Sequence, residues 1–196
     1  FSNEADSTLD VVDGRTLRLM AKIPLTGRPN NISARPDGSR VYVAVREGSG
    51  AVDVIDTKSL TLAKTIPTNG GVHNTFVTPD GRYVIAGTIV GKNLTVIDAE
   101  TEEVVWVKEF DLGVRPMAFE SNADGSTSRI FVQLSDLNGF AVLDFETQEE
   151  TRRIELPKLA PGKEPVYTGG NASHGMAVTS DNSGLVVDSR LNSAVY

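Results

Sequence analysis

Short apolar runs that end in an aspartate recur along the chain. The runs are Leu9-Asp10-Val11-Val12, Val52-Asp53-Val54-Ile55, Leu94-Thr95-Val96-Ile97 and Ala141-Val142-Leu143, and they are followed by Asp13, Asp56, Asp98 and Asp144. A Ser or Thr lies three residues after each of these aspartates, and the aspartates are 42 to 46 residues apart. An Asp side chain accepts hydrogen bonds from backbone N–H groups two or three residues further on. The pattern therefore predicts strands that end in tight turns.

A second turn signal recurs out of phase with the first. It comprises Pro36-Asp37-Gly38, Pro79-Asp80-Gly81, Ala123-Asp124-Gly125 and Ser180-Asp181-Asn182, and each is followed by an apolar, strand-forming run. The first two intervals between these turns are 43 and 44 residues, whereas the last is 57 residues. The additional residues include the proline-rich segment 157–165, and proline disfavours a central strand. This segment is predicted to be a loop insertion.

Each period accommodates four short strands and shows no helical periodicity. Four strands in roughly 40 to 45 residues are typical of a β-propeller blade. We predict an all-β fold, a β-propeller of four-stranded antiparallel blades with about four repeats present, forming a single domain or part of one. The predicted units are a partial blade at 1–24, blades at about 30–67, 73–111 and 115–156, and a partial blade at 174–196.

The repeat resembles a known family. Its Pro-Asp-Gly turn, the strand Val41-Tyr42-Val43-Ala44 and the strand end Val54-Ile55-Asp56 with Ser59 are similar to the YVTN-type β-propeller repeat, over essentially the whole chain. The WD repeat fits poorly, because its Trp-Asp and Gly-His signatures are missing and the only Trp is Trp106. The YVTN resemblance implies a seven-bladed propeller and a periplasmic or secreted location.

The two ends of the sequence fall at the same point of the repeat. Phe1 aligns with Val187, and the sequence stops at Val195-Tyr196 inside an expected strand. Four repeats could close as a ring, but both ends would then compete for one place in a sheet. We therefore expect a segment of a longer propeller, whose partners include the missing blades.

Charge and composition narrow the function classes. The net charge is −7, from 19 Lys plus Arg against 26 Asp plus Glu, which disfavours general binding to nucleic-acid phosphates. The absence of Cys rules out disulfides, thiolate metal sites and Cys nucleophiles. No apolar run approaches the roughly 20 residues that cross a bilayer. We expect neither a nucleic-acid partner nor membrane insertion.

Both histidines of the chain occupy one position of the predicted repeat. Counting back seven residues from each turn aspartate gives Asn30, His73, Met117 and His174, and the same count makes Arg28 and Arg115 equivalent to each other. In a propeller the first strand of each blade lines the central channel. The predicted ligand-binding residues at one mouth of this channel are Arg28, Asn30, His73, Arg115 and His174.

Three interpretations of this position remain open. The residues could serve turn geometry and packing, as in the repeats that the chain resembles. The guanidinium groups could instead hold an anion or a small molecule. His73 and His174 could also bind a divalent metal or act as an acid/base pair, but a metal site usually needs three or four protein ligands. Asn30, Asp6 or residues of the missing blades are the further candidate ligands.

Two functions follow from these interpretations. The first is an extracytoplasmic binding or interaction scaffold for a protein or small-molecule ligand, without catalytic chemistry of its own. The alternative is a propeller enzyme of the lyase, lactonase or oxidoreductase type that uses the His-lined, Arg-flanked mouth for a metal or an anionic substrate. In that case the segment 157–170, which precedes His174, could act as a lid. Fold alone does not decide between these functions.

Overall fold

The computed structural model describes residues 1–159, 161–165, 169 and 172–196. These residues form β-strands, turns and bends, and they contain no helix. None of these residues belongs to a helix long and apolar enough to cross a membrane. The chain divides into two compact units, Phe1–Glu109 and Phe110–Tyr196.

The first unit contains three antiparallel sheets in which neighbouring strands follow one another in sequence. The three-stranded sheet consists of β1 (Ser2–Asn3), β2 (Thr8–Val12) and β3 (Leu19–Pro24). One four-stranded sheet consists of β4 (Pro29–Ala34), β5 (Arg40–Val45), β6 (Ala51–Asp56) and β7 (Thr61–Pro67). The other consists of β8 (Val72–Val77), β9 (Tyr83–Thr88), β10 (Asn93–Asp98) and β11 (Glu103–Glu109).

The second unit repeats this arrangement. Its four-stranded sheet consists of β12 (Val114–Ser121), β13 (Thr127–Leu134), β14 (Gly139–Asp144) and β15 (Glu150–Glu155). A three-stranded sheet follows, with β16 (Met176–Val178), β17 (Leu185–Ser189) and β18 (Ala194–Val195). The predicted loop insertion and lid lie between β15 and β16, and they fall partly outside the described residues.

The predicted aspartate turns are present at all four positions. In the turn after β6, Asp56 Oδ1 accepts hydrogen bonds from the backbone N–H of Lys58 at 3.0 Å, and from the N–H and hydroxyl of Ser59 at 2.8 and 3.0 Å. Equivalent contacts are made by Asp13, Asp98 and Asp144. Because these bonds stabilise the ionised carboxyl, the pKa of all four aspartates is lowered.

Each aspartate turn closes on a residue with left-handed backbone. These residues are Leu17, Leu60, Glu102 and Gln148, with φ between 56° and 61°. Their N–H groups bond the carbonyl of the aspartate four residues earlier. The aspartate bonds therefore hold a conformation that non-glycine residues rarely adopt.

The core of the first unit lies between its sheets. Apolar side chains of β5, β6 and β7 pack against those of β8, β9 and β10 in one continuous buried cluster. It is built from Tyr42, Ala44, Val52, Val54, Ile66, Val72, Val84, Ala86, Ile97 and Ala99. A second cluster, around Val43 and Ile55, packs against Leu9 and Ile23 of the three-stranded sheet. The middle strands are thus apolar on both faces, as stacked blades require.

Polar side chains of β4 bond the edge of β8 directly. The Asn31 side chain accepts the backbone N–H of Thr75 at 2.6 Å and donates to the Thr75 carbonyl at 3.2 Å. Two residues further on, Ser33 Oγ accepts the N–H of Val77 at 3.0 Å. These side chains replace the backbone partners that an edge strand lacks. They thereby fix the inner strands of two neighbouring sheets to each other.

We expect Asn31→Ala to lower the free energy of unfolding by about 1 to 3 kcal/mol, because the N–H of the fully buried Thr75 loses its acceptor. Urea denaturation measures the change. Asn122→Ala, at an exposed amide that bonds Ser126 in a turn, is the control and should cost about 0.5 kcal/mol or less. Equal losses in the two variants would show that the contact between β4 and β8 contributes little.

The aspartate turns should make stability depend on pH. Their folded pKa values lie below the ordinary 3.8, so the carboxylates stabilise the fold above about pH 4, and this contribution is lost as the pH falls through the folded pKa. The triple variant Asp56→Asn, Asp98→Asn, Asp144→Asn keeps the amide acceptor but does not titrate. Urea denaturation at several pH values between 3 and 7 measures the free energy of unfolding. We expect this free energy to depend less steeply on pH in the triple variant than in the wild type or in the control Glu155→Gln, which lies on an exposed part of a strand. Parallel slopes would contradict the assignment.

Candidate functional site

The first strands of the three four-stranded sheets share an irregularity near the start of their pairing with the next strand. In each, the register shifts immediately after the first paired residue, which is Pro29 in β4, Val72 in β8 and Val114 in β12. The residues that follow these three are Asn30, His73 and Arg115. In the last sheet the pairing of Met176 with Val187 puts His174 at the same position. One slot of the repeat is thus occupied by four polar residues.

This register corrects the positional count made from the sequence. Arg115, not Met117, is the equivalent of His73, because a second register shift between Glu120 and Ser121 lengthens the β12–β13 hairpin. Arg28 and Arg115 are therefore not equivalent. The Arg28 carbonyl accepts the N–H of Arg46 at 2.9 Å, and in the second unit the Gly113 carbonyl plays this part. Arg28 thus precedes the slot that Arg115 occupies.

A cleft of about 530 Å³ opens at the loop end of the first unit. Its walls include Arg28, Arg46, His73, Asn69, Ile89 and Val90 together with four glycines, and we call it the first-unit cleft. Arg28, Arg46 and Val90 are exposed, whereas His73 is half-buried. The cleft therefore combines two guanidinium groups and one imidazole with an apolar wall.

Close backbone contacts fix the loops around the first-unit cleft. A Cβ atom on Gly71 would lie 2.2 Å from the Arg46 carbonyl oxygen, and one on Gly91 would lie 2.4 Å from the Asn69 carbonyl oxygen. No side chain fits at such distances, so glycine is required where these loops meet. The rim of the cleft is accordingly formed by main chain packed against main chain.

Asn30 reaches across from β4 to His73 at the start of β8. Its side-chain nitrogen lies 2.8 Å from His73 Nδ1 and also donates a hydrogen bond to the His73 carbonyl oxygen. Arg28, Asn30 and His73, all predicted from the sequence, are therefore brought together in the first unit.

The two arginines of the first-unit cleft have only loose acidic partners. Arg28 Nε lies 3.9 Å from Glu47 Oε1, and Arg46 Nη1 lies 3.8 Å from Glu4 Oε2, with all four side chains well exposed. Such exposed pairs contribute little and exchange easily. Both guanidinium groups can therefore bind an incoming carboxylate or phosphate.

In the second unit, Arg115 lies close enough to His174 for its charge to act on the imidazole. Asp188 Oδ1 accepts hydrogen bonds from the backbone N–H groups of His174 and Gly175, each at 2.7 Å. These bonds fix the chain at His174 and at the residue after it. Arg115 Nε donates to Ser135 Oγ at 3.0 Å. Arg190, whose N–H bonds the Ala172 carbonyl, occupies the place that Arg46 has in the first unit.

The surroundings of His174 favour its neutral form. Burial lowers the pKa of His174 below the ordinary 6.5, and the positive charges of Arg115 and Arg190 lower it further, against an opposing effect of Asp188. A neutral imidazole can accept a proton or bind a metal through a ring nitrogen. The second unit thus presents an imidazole whose burial and two neighbouring arginines disfavour protonation.

Sequence reasoning missed Arg46 and Arg190. Each directly follows the second strand of its sheet, β5 or β17, where a sequence pattern predicts only a strand end. The recurrence of Arg at this point would have been the available signal. The metal site predicted at His73 and His174 stays a prediction: within the described part of the chain, no group of three or more His, Cys, Asp or Glu could hold a metal ion.

The model of the cytochrome D1 heme domain family matches residues 5–130, which is more than half of the chain. The chain belongs to this family. The match to the cytochrome D1 heme domain includes the first-unit cleft and Arg115 but ends before His174. No curated protein matches the chain.

Among solved structures, hydrazine synthase of Kuenenia stuttgartiensis is similar to this member of the cytochrome D1 heme domain family. The TM-score is 0.75 at 18% sequence identity, over 94% of this chain and 50% of that one. This chain thus spans half the length of the matched chain. This likeness concerns the fold, and with the family it confirms the predicted all-β, β-propeller class. The finer resemblance to YVTN repeats stays a prediction.

Arg115→Gln should raise the pKa of His174, because it removes one of the positive charges that disfavour the imidazolium. NMR titration of the imidazole C–H resonances measures this shift. Arg152→Gln, at an exposed residue of β15, is the control and should leave the pKa of His174 unchanged. An unaltered pKa in Arg115→Gln would mean that the charge of Arg115 does not act on the ring of His174.

Proposed function

We propose that this protein is part of a redox propeller that binds a haem-type tetrapyrrole through carboxylate groups held in the first-unit cleft. Membership of the cytochrome D1 heme domain family supports a ligand of the haem type. The observation that carries the proposal is the pair of loosely partnered guanidinium groups, Arg28 and Arg46, in one cleft. We also propose a location outside the cytoplasm, in line with the predicted periplasmic or secreted location.

The residues of the cleft fit the periphery of a tetrapyrrole. Haem carries carboxylate groups on an apolar macrocycle, and guanidinium groups bind carboxylates with two parallel hydrogen bonds. Ile89 and Val90 provide apolar surface on the same cleft. Arg28 and Arg46 would hold the carboxylates, and the glycine-bounded loops would keep these arginines in place. Haem, when bound, supplies one-electron redox chemistry at its iron.

A second candidate function is the non-catalytic scaffold predicted from the sequence. In that case the same arginines bind a carboxylate ligand that has no redox centre. The contact between Asn30 and His73 Nδ1 favours this candidate, because it occupies one of the two ring nitrogens through which His73 could bind a metal.

Titration with ferric haem and with iron-free protoporphyrin tests both candidates. We expect haem to bind with a shifted absorption band, and Arg28→Gln and Arg46→Gln each to weaken binding about tenfold, because a charge-assisted hydrogen bond is lost. Arg152→Gln on β15 is the matched control and should leave the affinity unchanged.

The outcomes separate the two functions. Binding of haem accompanied by a reversible reduction potential supports the redox propeller. Equal affinity for haem and protoporphyrin, with no change in the iron spectrum, supports a scaffold that recognises carboxylates alone. Failure of both compounds to bind, or equal binding by the arginine variants, would overturn the proposal.

A further inference from the structure

We infer that Asn30 determines the specificity of the first-unit cleft by holding His73 in its Nε2–H form, so that the cleft selects a ligand with anionic oxygens over a bare divalent cation. The inference rests on the proposed function, since it takes the first-unit cleft as the binding site. It goes further by assigning a role to Asn30 and by naming what the cleft rejects.

The first step is the identity of the Asn30 atom that faces His73. One end of the amide lies against both the His73 carbonyl oxygen and His73 Nδ1. A carbonyl oxygen can only accept a hydrogen bond. The amide end that faces it must therefore be the NH2 group, which has two hydrogens and can serve both partners.

The second step is the state of the ring. Because the Asn30 NH2 group donates to Nδ1, Nδ1 must present a lone pair and carries no proton. In a neutral imidazole the proton then lies on Nε2. Binding of a metal through Nε2 would need the opposite tautomer, with a proton on Nδ1 and an acceptor beside it.

The third step is that the Asn30 amide is not free to turn round. Turning would place Oδ1 against the His73 carbonyl oxygen and exchange a hydrogen bond for a repulsive contact. The backbone of Asn30 is also fixed, because its carbonyl accepts a hydrogen bond from Ser2 Oγ at 3.2 Å. The neighbouring Asn31 is bonded to Thr75 on the same strand as His73.

The charges of the cleft point to the same ligand class. Of the described residues that line it, none is a carboxylate, and two are arginines. A divalent cation would meet two positive charges, whose partners Glu47 and Glu4 are exposed and lie outside the lining of the cleft. An anionic oxygen would instead meet the guanidinium groups. The hydrogen-bonding state of His73 and the charge of the cleft thus agree.

Proton-detected 15N NMR of the histidine rings in the ligand-free protein tests the tautomer. The chain has two histidines, so His73→Gln assigns the signals. We expect an unprotonated Nδ1 and a protonated Nε2 at His73 in the wild type, and a mixture of tautomers in Asn30→Ala. A protonated Nδ1 in the wild type would overturn the inference whether or not haem binds.

Thermal denaturation with zinc chloride or sodium acetate tests the selectivity. Zinc should not raise the melting temperature of the wild type by binding to His73. The wild type and His73→Gln should therefore show the same change in melting temperature when zinc chloride is added. Acetate should raise the melting temperature of the wild type and not that of the Arg28→Gln, Arg46→Gln double variant. A zinc-dependent rise in the wild type that disappears in His73→Gln would contradict the inference.

Discussion

The bonds between the side chains of β4 and the edge of β8 are the interaction on which the first unit depends. Inner strands of neighbouring sheets do not pair through their backbones, so each would leave N–H and C=O groups without partners. Asn31 and Ser33 supply those partners. Asn30 continues the same row and meets His73. The contacts that join two sheets therefore also orient the imidazole of the cleft.

Much of the fold could be predicted from local chemistry. Aspartate turns depend on residues two and three positions away, so the sequence around Asp56 and Asp144 is sufficient to predict them. Their left-handed closing residues, such as Leu60, were not predictable, because no glycine marks them. The bulge in the β12–β13 hairpin likewise depends on pairing across strands, and for that reason the sequence count selected Met117 where the structure has Arg115.

The two units place a histidine at the same position of the repeat but in different chemical surroundings. In the first unit, His73 receives hydrogen bonds from a neutral amide and lies in a cleft with Arg28 and Arg46. In the second, burial and two arginines lower the pKa of His174, and Asp188 fixes the chain at this position. Sequence analysis could find both histidines because they share a repeat position. It could not show their partners, since Arg46 and Arg190 are brought near only by strand pairing.

The contact of Gly71 with the Arg46 carbonyl has a consequence for how such a protein can change. The frame of the cleft is made of main-chain atoms, so it keeps its shape whatever side chains project from it. Substitution of Arg46 or Val90 would change which ligand the cleft binds and leave the backbone of its loops in place. Any side chain at Gly71 or Gly91 would disrupt the contacts between those loops. Descendants of one gene can in this way acquire new ligands through one or two substitutions at the rim.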